Sequence, residues 1–226
     1  MIHLYAVVEG ETEERFMRSV LAPHLLQYNV RLDAQQWLTN RRSGHRGGGR
    51  NFDKVENHIL RILNKFQYRN DVYVTTMIDL YGFPRQGNTI WNDEISQLPD
   101  GENKAGTLEM RWYARFNNRF FIPYVQVHEF ETLILCKPDV LQTYFTNNLA
   151  EVEALKAEIG AKPPEEINNT PNGAPSKRII KYLPSYAAQK TTAGVASVEQ
   201  IGLNEIRTKC PRFDAWLKRL ENLSSN

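Results

Sequence analysis

Four glutamates, Glu9, Glu11, Glu13 and Glu14, stand within six residues, directly after the apolar run Leu4-Tyr5-Ala6-Val7-Val8 and around Gly10. Carboxylates this close repel one another unless a cation, or in part the positive start of a helix, offsets them. Two other apolar runs also end in acids. Asp79 follows Val72–Ile78, and Glu129 and Glu131 sit in His128-Glu129-Phe130-Glu131 after Phe120–Val127. Hard oxygen donors brought together suit Mg²⁺ or Mn²⁺, which retain water and bind phosphate oxygens. Two such ions about 3.5–4 Å apart can activate a water and stabilise a leaving oxygen in phosphodiester cleavage. Glu13, at i+4 from Glu9, can reach the same cation; Glu11 and Glu14 are expected to face solvent. The plain alternative for residues 9–14 is a solvated, acid-rich helical turn.

The stretch from Thr39 to Asn51 is the basic counterpart, with Arg41, Arg42, Arg46 and Arg50 among Gly44, Gly47, Gly48 and Gly49. It reads as a loop. Its glycines let a backbone approach a ligand closely, and its arginines suit phosphate; a basic surface loop without a ligand accounts for it equally well. It lacks the G-x-x-x-x-G-K-[ST] pattern of a nucleotide-binding loop, and the chain has no G-x-S-x-G. His128 reads as a hydrogen-bonded structural residue ahead of a ligand or general base. His3, His24 and His58 lack clustered partners, and His45 in the arginine loop suits an anion.

The elements that position these acids follow from periodicity. Strands are expected over residues 2–8, Val30–Leu38, Asp71–Ile78 and Phe120–Val127. Helices are expected over Glu11–Gln27, capped by Thr12 and kinked at Pro23, and over Phe52–Phe66, Ile90–Leu98 and Ala105–Asn118. This alternation predicts an α/β fold, a mostly parallel Rossmann-like sheet with helices on both faces. In a parallel sheet the strand ends share one edge, so Glu9, Asp79 and Glu129/Glu131 can converge there. An extended segment would put Glu129 and Glu131 on one side, and a helical one would separate them by about 200°. After Pro138 only helical patterns remain: Asp139–Phe145, Asn148–Ile159, Lys177–Tyr182, Val195–Leu203 and Arg212–Leu223, with a proline-rich loop over Lys162–Pro175. The expected division is an α/β domain over 1–136 and a helical C-terminal extension over 137–226 packed on it.

Composition narrows the class further. The 226 residues are 41% hydrophobic and 24% charged, ordinary for a globular chain. No run of eighteen apolar residues suits a membrane span, and the N-terminus lacks the features of a signal peptide. Cys136 and Cys210 form no CxxC pair and suggest reduced thiols in the cytoplasm. A formal charge of +2 neither requires nor excludes nucleic acid.

The segments V-E-G-E-T-E (Val8–Glu13), M-I-D-L-Y-G-F-P (Met77–Pro84), P-Y-V-Q-V-H-E-F-E (Pro123–Glu131), P-S-K-R (Pro175–Arg178) and I-G-L-x-x-I-R-x-x-C-P-x-F (Ile201–Phe213) together resemble an uncharacterised bacterial family. That family is similar to the Toprim-like group, which includes the nuclease domains of overcoming-lysogenization-defect proteins. The resemblance implies a compact parallel α/β domain and a Mg²⁺ or Mn²⁺ site acting on phosphodiesters. Glu9 matches the strand-end glutamate of that group, Glu13 the second acid of its E-x-x-x-E, and Gly47–Gly49 its glycine pair. Asp79 matches the first aspartate of its D-x-D, where Tyr81 replaces the second; Glu129 or Glu131 then supplies the missing carboxylate. Lys177 can neutralise developing phosphate charge or serve as a surface cation. The resemblance further implies an AAA- or ABC-type ATPase partner encoded nearby and a role in defence against phage or plasmids. The expected activity is nucleic-acid cleavage, DNA ahead of RNA. The alternatives are a non-catalytic nucleic-acid-sensing or regulatory module of the ATPase, and a phosphotransferase acting on a small substrate.

Overall fold

Residues Ile2–Val8 form the first strand, β1, which occupies the middle of the sheet. A central parallel strand is covered on both faces, which is why this run is apolar almost throughout. The computed structural model describes residues 1–37, 51–167 and 173–225. Strand β1 pairs with β2 (Val30–Gln36) on one side and with β3 (Val72–Asp79) on the other, both parallel, with Val8 opposite Gln36 and Met77. Beyond β3 lie β4 (Phe121–Ile122) and β5 (Val125–Gln126), again parallel to it. The order is β2-β1-β3-β4, with β5 also paired to β3. The expected α/β architecture is present, and all the pairings among these strands are parallel.

The single strand expected over Phe120–Val127 is two short pieces. Pro123 has no N–H for the ladder. The Thr76 hydroxyl fills the gap: it accepts from Tyr124 N at 2.8 Å and donates to Tyr124 O at 2.9 Å. Side-chain bonding thus carries the chain past a break and delivers β5 opposite the end of β3, with Asp79 level with Gln126.

Helices cover both faces. On one face lie α1 (Glu11–Phe16), a π-helical turn (Met17–Leu21) and α2 (Ala22–Leu26), where Phe16, Met17, Leu21 and Leu25 pack on Leu4, Ala6 and Val8. Pro23 accounts for the π turn: it donates no bond within the helix, and Ala22 N reaches back five residues to Met17 O. Thr12 is not the cap of α1. Gly10 holds that position, because the Glu13 carboxylate reaches back to accept from Gly10 N at 3.0 Å. On the other face α3 (Phe52–Lys65) and α5 (Gly101–Phe116) bury Val55, Ile59, Leu108 and Trp112 against Val7, Val74 and Ile78. A short helix, α4 (Asp93–Gln97), precedes α5. Helix α5 starts four residues before its expected Ala105 because Asp100 caps it, accepting from Asn103 N at 2.7 Å.

The remainder is helical: short 3₁₀ turns from Phe130 to Thr143, then α6 (Leu149–Ile159), α7 (Pro175–Tyr182), α8 (Val195–Ile201), α9 (Leu203–Lys209) and α10 (Pro211–Glu221). Helix α10 enters the same core as β1 through Phe213, Trp216, Leu217 and Leu220. Trp216 stacks on Tyr124 at 4.3 Å and donates its Nε1–H to Thr75 Oγ1 at 2.9 Å. Among the described residues no helix is long and apolar enough to cross a membrane.

Candidate active site at the carboxyl edge

Parallel pairing brings the ends of β1, β3 and β5 to one edge, and their acids meet there. Glu9 follows the last residue of β1 and is half-buried. Its carboxylate presses on Gly82 in the turn after β3: a Cβ at that position would stand 2.3 Å from Glu9 Oε2. Only glycine leaves room for the acid in this position. Glu13, in the first turn of α1, is buried and held by the Gly10 N–H. Burial raises its pKa, and Glu131 adds to that, while the two backbone hydrogen bonds and Lys190 oppose it.

Asp79 is the most crowded of the group. Its Oδ1 is enclosed and has no hydrogen-bond partner among the described residues. Burial, and then the charges of Glu13, Glu9, Glu131 and Glu129 in that order, push its pKa well above the usual carboxylate range. Five acids from three strand ends and one helical turn therefore act on one another. Such mutual repulsion at a sheet edge marks these acids as a candidate functional site.

Glu129 is extended, and a 3₁₀ turn starts at Phe130, so the chain bends between the two acids of this segment. Glu129 Oε2 accepts from Ser176 N at 3.0 Å. That N–H belongs to the first turn of α7, where helix N–H groups lack internal partners and favour an anion. Glu131 is buried and takes two partners from the C-terminal half. Lys190 Nζ lies 3.0 Å from its Oε1, and Tyr186 Oη donates to the same atom at 3.3 Å. Burial raises the pKa of Glu131 and Lys190 draws it back. Lys190 sits in a π-helical turn (Lys190–Gly194) tied to α1 by the 3.2 Å contact of Thr191 Oγ1 with Thr12 Oγ1.

The remaining sequence candidates fall as follows. Lys177 is exposed on α7, one residue past Ser176. Arg178 of the same motif is structural: it donates to Gly173 O at 2.8 Å and Ile167 O at 3.1 Å and pairs with Glu158 at 2.5 Å. Arg41, Arg42, Arg46 and Arg50, and the glycines 47–49, lie outside the described residues. The described residues flanking that stretch are at the same edge, since Trp37 N donates to Val8 O at 3.2 Å and Phe52 N to Gln86 O at 2.9 Å. Glu11 faces solvent as expected. Glu14 does not: it is half-buried, pairs with Arg18 at 2.9 Å and accepts from Gln36.

His128 is a buried brace. Its backbone is left-handed, at φ 63°. Nε2 lies 3.0 Å from the Glu165 carbonyl, which only accepts, so Nε2 carries the proton. Nδ1 then accepts from Tyr81 Oη at 3.0 Å. Burial lowers the pKa of this imidazole to about 4, against which the Glu165 carbonyl bond and the charge of Glu129 pull upward. Tyr81 thus has a fixed use: it ties the turn after β3 to the segment after β5.

The acids at this edge offer carboxylate oxygens, the donor type a hard cation takes, and Asp79 Oδ1 has no hydrogen-bond partner among the described residues. Among the described residues, no three His, Cys, Asp or Glu side chains are grouped closely enough to hold an ion as they stand. Lys190, Tyr186, Ser176 and Gly82 are not among the site residues expected from sequence; Gly82 carried a local signal, as a turn glycine three residues after the end of β3, and Ser176 lies in the P-S-K-R segment.

Fold and site together define a Rossmann-like α/β protein with an acidic carboxyl edge. The chain belongs to the family described as a domain of unknown function, DUF4276, which it matches over residues 8–221. No curated protein and no solved structure matches it.

Proposed function

We propose that the acidic edge is the metal site of a nuclease that hydrolyses phosphodiesters with Mg²⁺ or Mn²⁺ held by Glu9, Glu13, Asp79, Glu129 and Glu131. Asp79 carries the reading: a carboxylate with an enclosed, unpartnered oxygen, its pKa raised by burial and then by four neighbouring glutamates, is costly unless a cation answers it. A bound cation would polarise the phosphate and supply an activated water. The chain's own groups orient the ligands. The N–H groups of Gly10 and Ser176 hold Glu13 and Glu129, the close approach at Gly82 sets Glu9, and Lys190 balances Glu131. Lys177 is assigned to the developing phosphate charge, and Arg41, Arg42, Arg46 and Arg50 to steering the nucleic-acid backbone. The resemblance to the Toprim-like nucleases supports DNA ahead of RNA as substrate, a separate AAA- or ABC-type ATPase as partner, a cytoplasmic setting and a role in defence against foreign DNA.

A second reading, a non-catalytic nucleic-acid-sensing or regulatory module, draws support from the same edge. Lys190 already compensates Glu131, Tyr81 is engaged with His128, and no three acids are yet drawn together among the described residues. Cleavage of plasmid, single-stranded DNA and RNA with Mn²⁺ or Mg²⁺ tests the first reading, alongside a calorimetric Mn²⁺ titration. The wild type is expected to cut, and Glu9→Gln and Asp79→Asn to abolish cutting. Activity surviving both substitutions refutes the nuclease; a wild type that neither binds Mn²⁺ at millimolar concentration nor cuts selects the module.

A further inference from the structure

Two of the segments that carry the family resemblance lead to cysteines with no part in the acidic edge. Cys136 ends the 3₁₀ turn Ile134–Cys136, five residues past Glu131, and Cys210 stands directly before α10. They are 74 positions apart, yet their Sγ atoms lie 3.4 Å from each other, both buried and both free thiols. Shortening that contact to the roughly 2.05 Å of a disulfide takes a movement on the order of 1 Å.

Cys136 also lines a cavity of about 750 Å³, with Lys137, Pro138, Pro164, Lys209 and Pro211 around it. That volume is of the size that admits small molecules, roughly 300–1,000 Å³. Cys210 does not line it. Lys209 closes the side between the two sulfurs' segments by donating to Cys136 O at 2.7 Å.

We propose that Cys136 and Cys210 form a dithiol that a hydroperoxide entering this cavity oxidises to an intrachain disulfide. The Cys136 sulfur attacks the terminal peroxide oxygen; the O–O bond breaks and the alkoxide leaves as the alcohol with the Cys136 proton, leaving a sulfenic acid on Cys136. The Cys210 sulfur then attacks Cys136 Sγ, the S–O bond breaks, and the hydroxyl leaves as water with the Cys210 proton. Two thiols and one hydroperoxide become one disulfide, one alcohol and one water, the two electrons passing from sulfur to the O–O bond. The order of events follows from the surroundings. Cys136 meets the oxidant, whereas Cys210, whose thiol is pushed up by its contact with Cys136 and by burial, keeps its proton until it resolves the sulfenic acid. The product clamps the segment bearing Glu129 and Glu131 to the start of α10.

The experiment treats the full chain with a small organic hydroperoxide and then counts thiols after denaturation. The expected result is a fall from two thiols to none, a mass loss of about 2 Da, a peptide joining residues 136 and 210, and full reversal by dithiothreitol. With dimedone present, Cys210→Ser is expected to give an adduct at Cys136, and Cys136→Ser none at Cys210. Retention of both thiols in the wild type overturns the proposal, as does oxygen uptake without a cross-link. The wild-type cross-link needs no variant, so a poorly folding substitution leaves the test intact.

Discussion

Replacing Asp79 by Asn separates the cost of the acidic edge from its use. Asp79 Oδ1 is enclosed and lacks a partner among the described residues, and burial, then four glutamates, raise the pKa of the carboxyl. Asn is nearly isosteric, carries no charge and brings an NH₂ that can donate to those glutamates. Relieving a buried unsatisfied acceptor contributes about 1–3 kcal/mol. For a chain of this length each kcal/mol moves Tm by about 2–4 °C, so Asp79→Asn is expected to melt about 2–12 °C above the wild type in EDTA. The sign with pH follows from the raised pKa: the folded state holds this proton more tightly than the unfolded chain. The penalty in the wild type is therefore full at pH values above the folded pKa and disappears as pH falls toward 3.8, the ordinary value for aspartate. The advantage of the variant should shrink over that range. Mn²⁺ works against that ranking. At about 100 times its dissociation constant the ion stabilises the wild type by about 2.7 kcal/mol, or about 5–11 °C, and the variant much less. Differential scanning calorimetry at matched protein concentration, in EDTA and in Mn²⁺, reads all of this. A variant that melts below the wild type in EDTA, or an equal Mn²⁺ gain in both proteins, refutes the reasoning.

Two further outcomes follow from the same edge. His128 is expected to stay in the neutral Nε2–H form down to about pH 4, against 6.5 for a free imidazole, a difference that contributes about 3 kcal/mol of stability present above pH 6.5 and lost between 6.5 and about 4; a ¹⁵N NMR titration of the ring that shows a midpoint near 6.5 removes the brace. Gly82→Ala drives a methyl into the end of a flexible side chain, 2.3 Å from Glu9 Oε2, rather than into backbone. The fold is expected to survive with a loss of about 1 kcal/mol or less, while Glu9 is displaced and Mn²⁺ affinity drops about tenfold or more; calorimetric titration giving an unchanged affinity counts against Glu9 as a ligand.

Strands β1 and β3 were legible because central parallel strands are buried on both faces and read as unbroken apolar runs. The break between β4 and β5 was not, because its cause is tertiary: Pro123 removes one ladder donor, and a hydroxyl from Thr76, 48 positions away from Tyr124, replaces the missing bonding. The start of α1 at Glu11 was legible, but its cap was not: Thr12 has the side chain of a cap, yet Glu13 already satisfies Gly10 N from inside the helix, so the cap lies two residues earlier. The bend between Glu129 and Glu131 stayed open in the sequence, since alternation and helical spacing fit five residues equally well.

The convergence of Glu9, Asp79 and Glu129/Glu131 on one edge follows from topology: parallel strands end together, and each of these acids closes or follows an apolar run. What those acids experience does not follow from it. Ser176 is 47 positions from Glu129, and Tyr186 is 55 from Glu131; no spacing rule links them. Yet these residues, with Lys190, decide which acids are compensated and which are not. Glu129 rests on a helix N–H and Glu131 on an ammonium, while Asp79 Oδ1 is left without a partner among the described residues. The strands supply the charge, and the C-terminal helices, bound into the same core through Trp216 and Phe213, leave its excess on Asp79. A substitution at Lys190, far in sequence from any strand, therefore changes the chemistry of the edge as directly as one at Glu9.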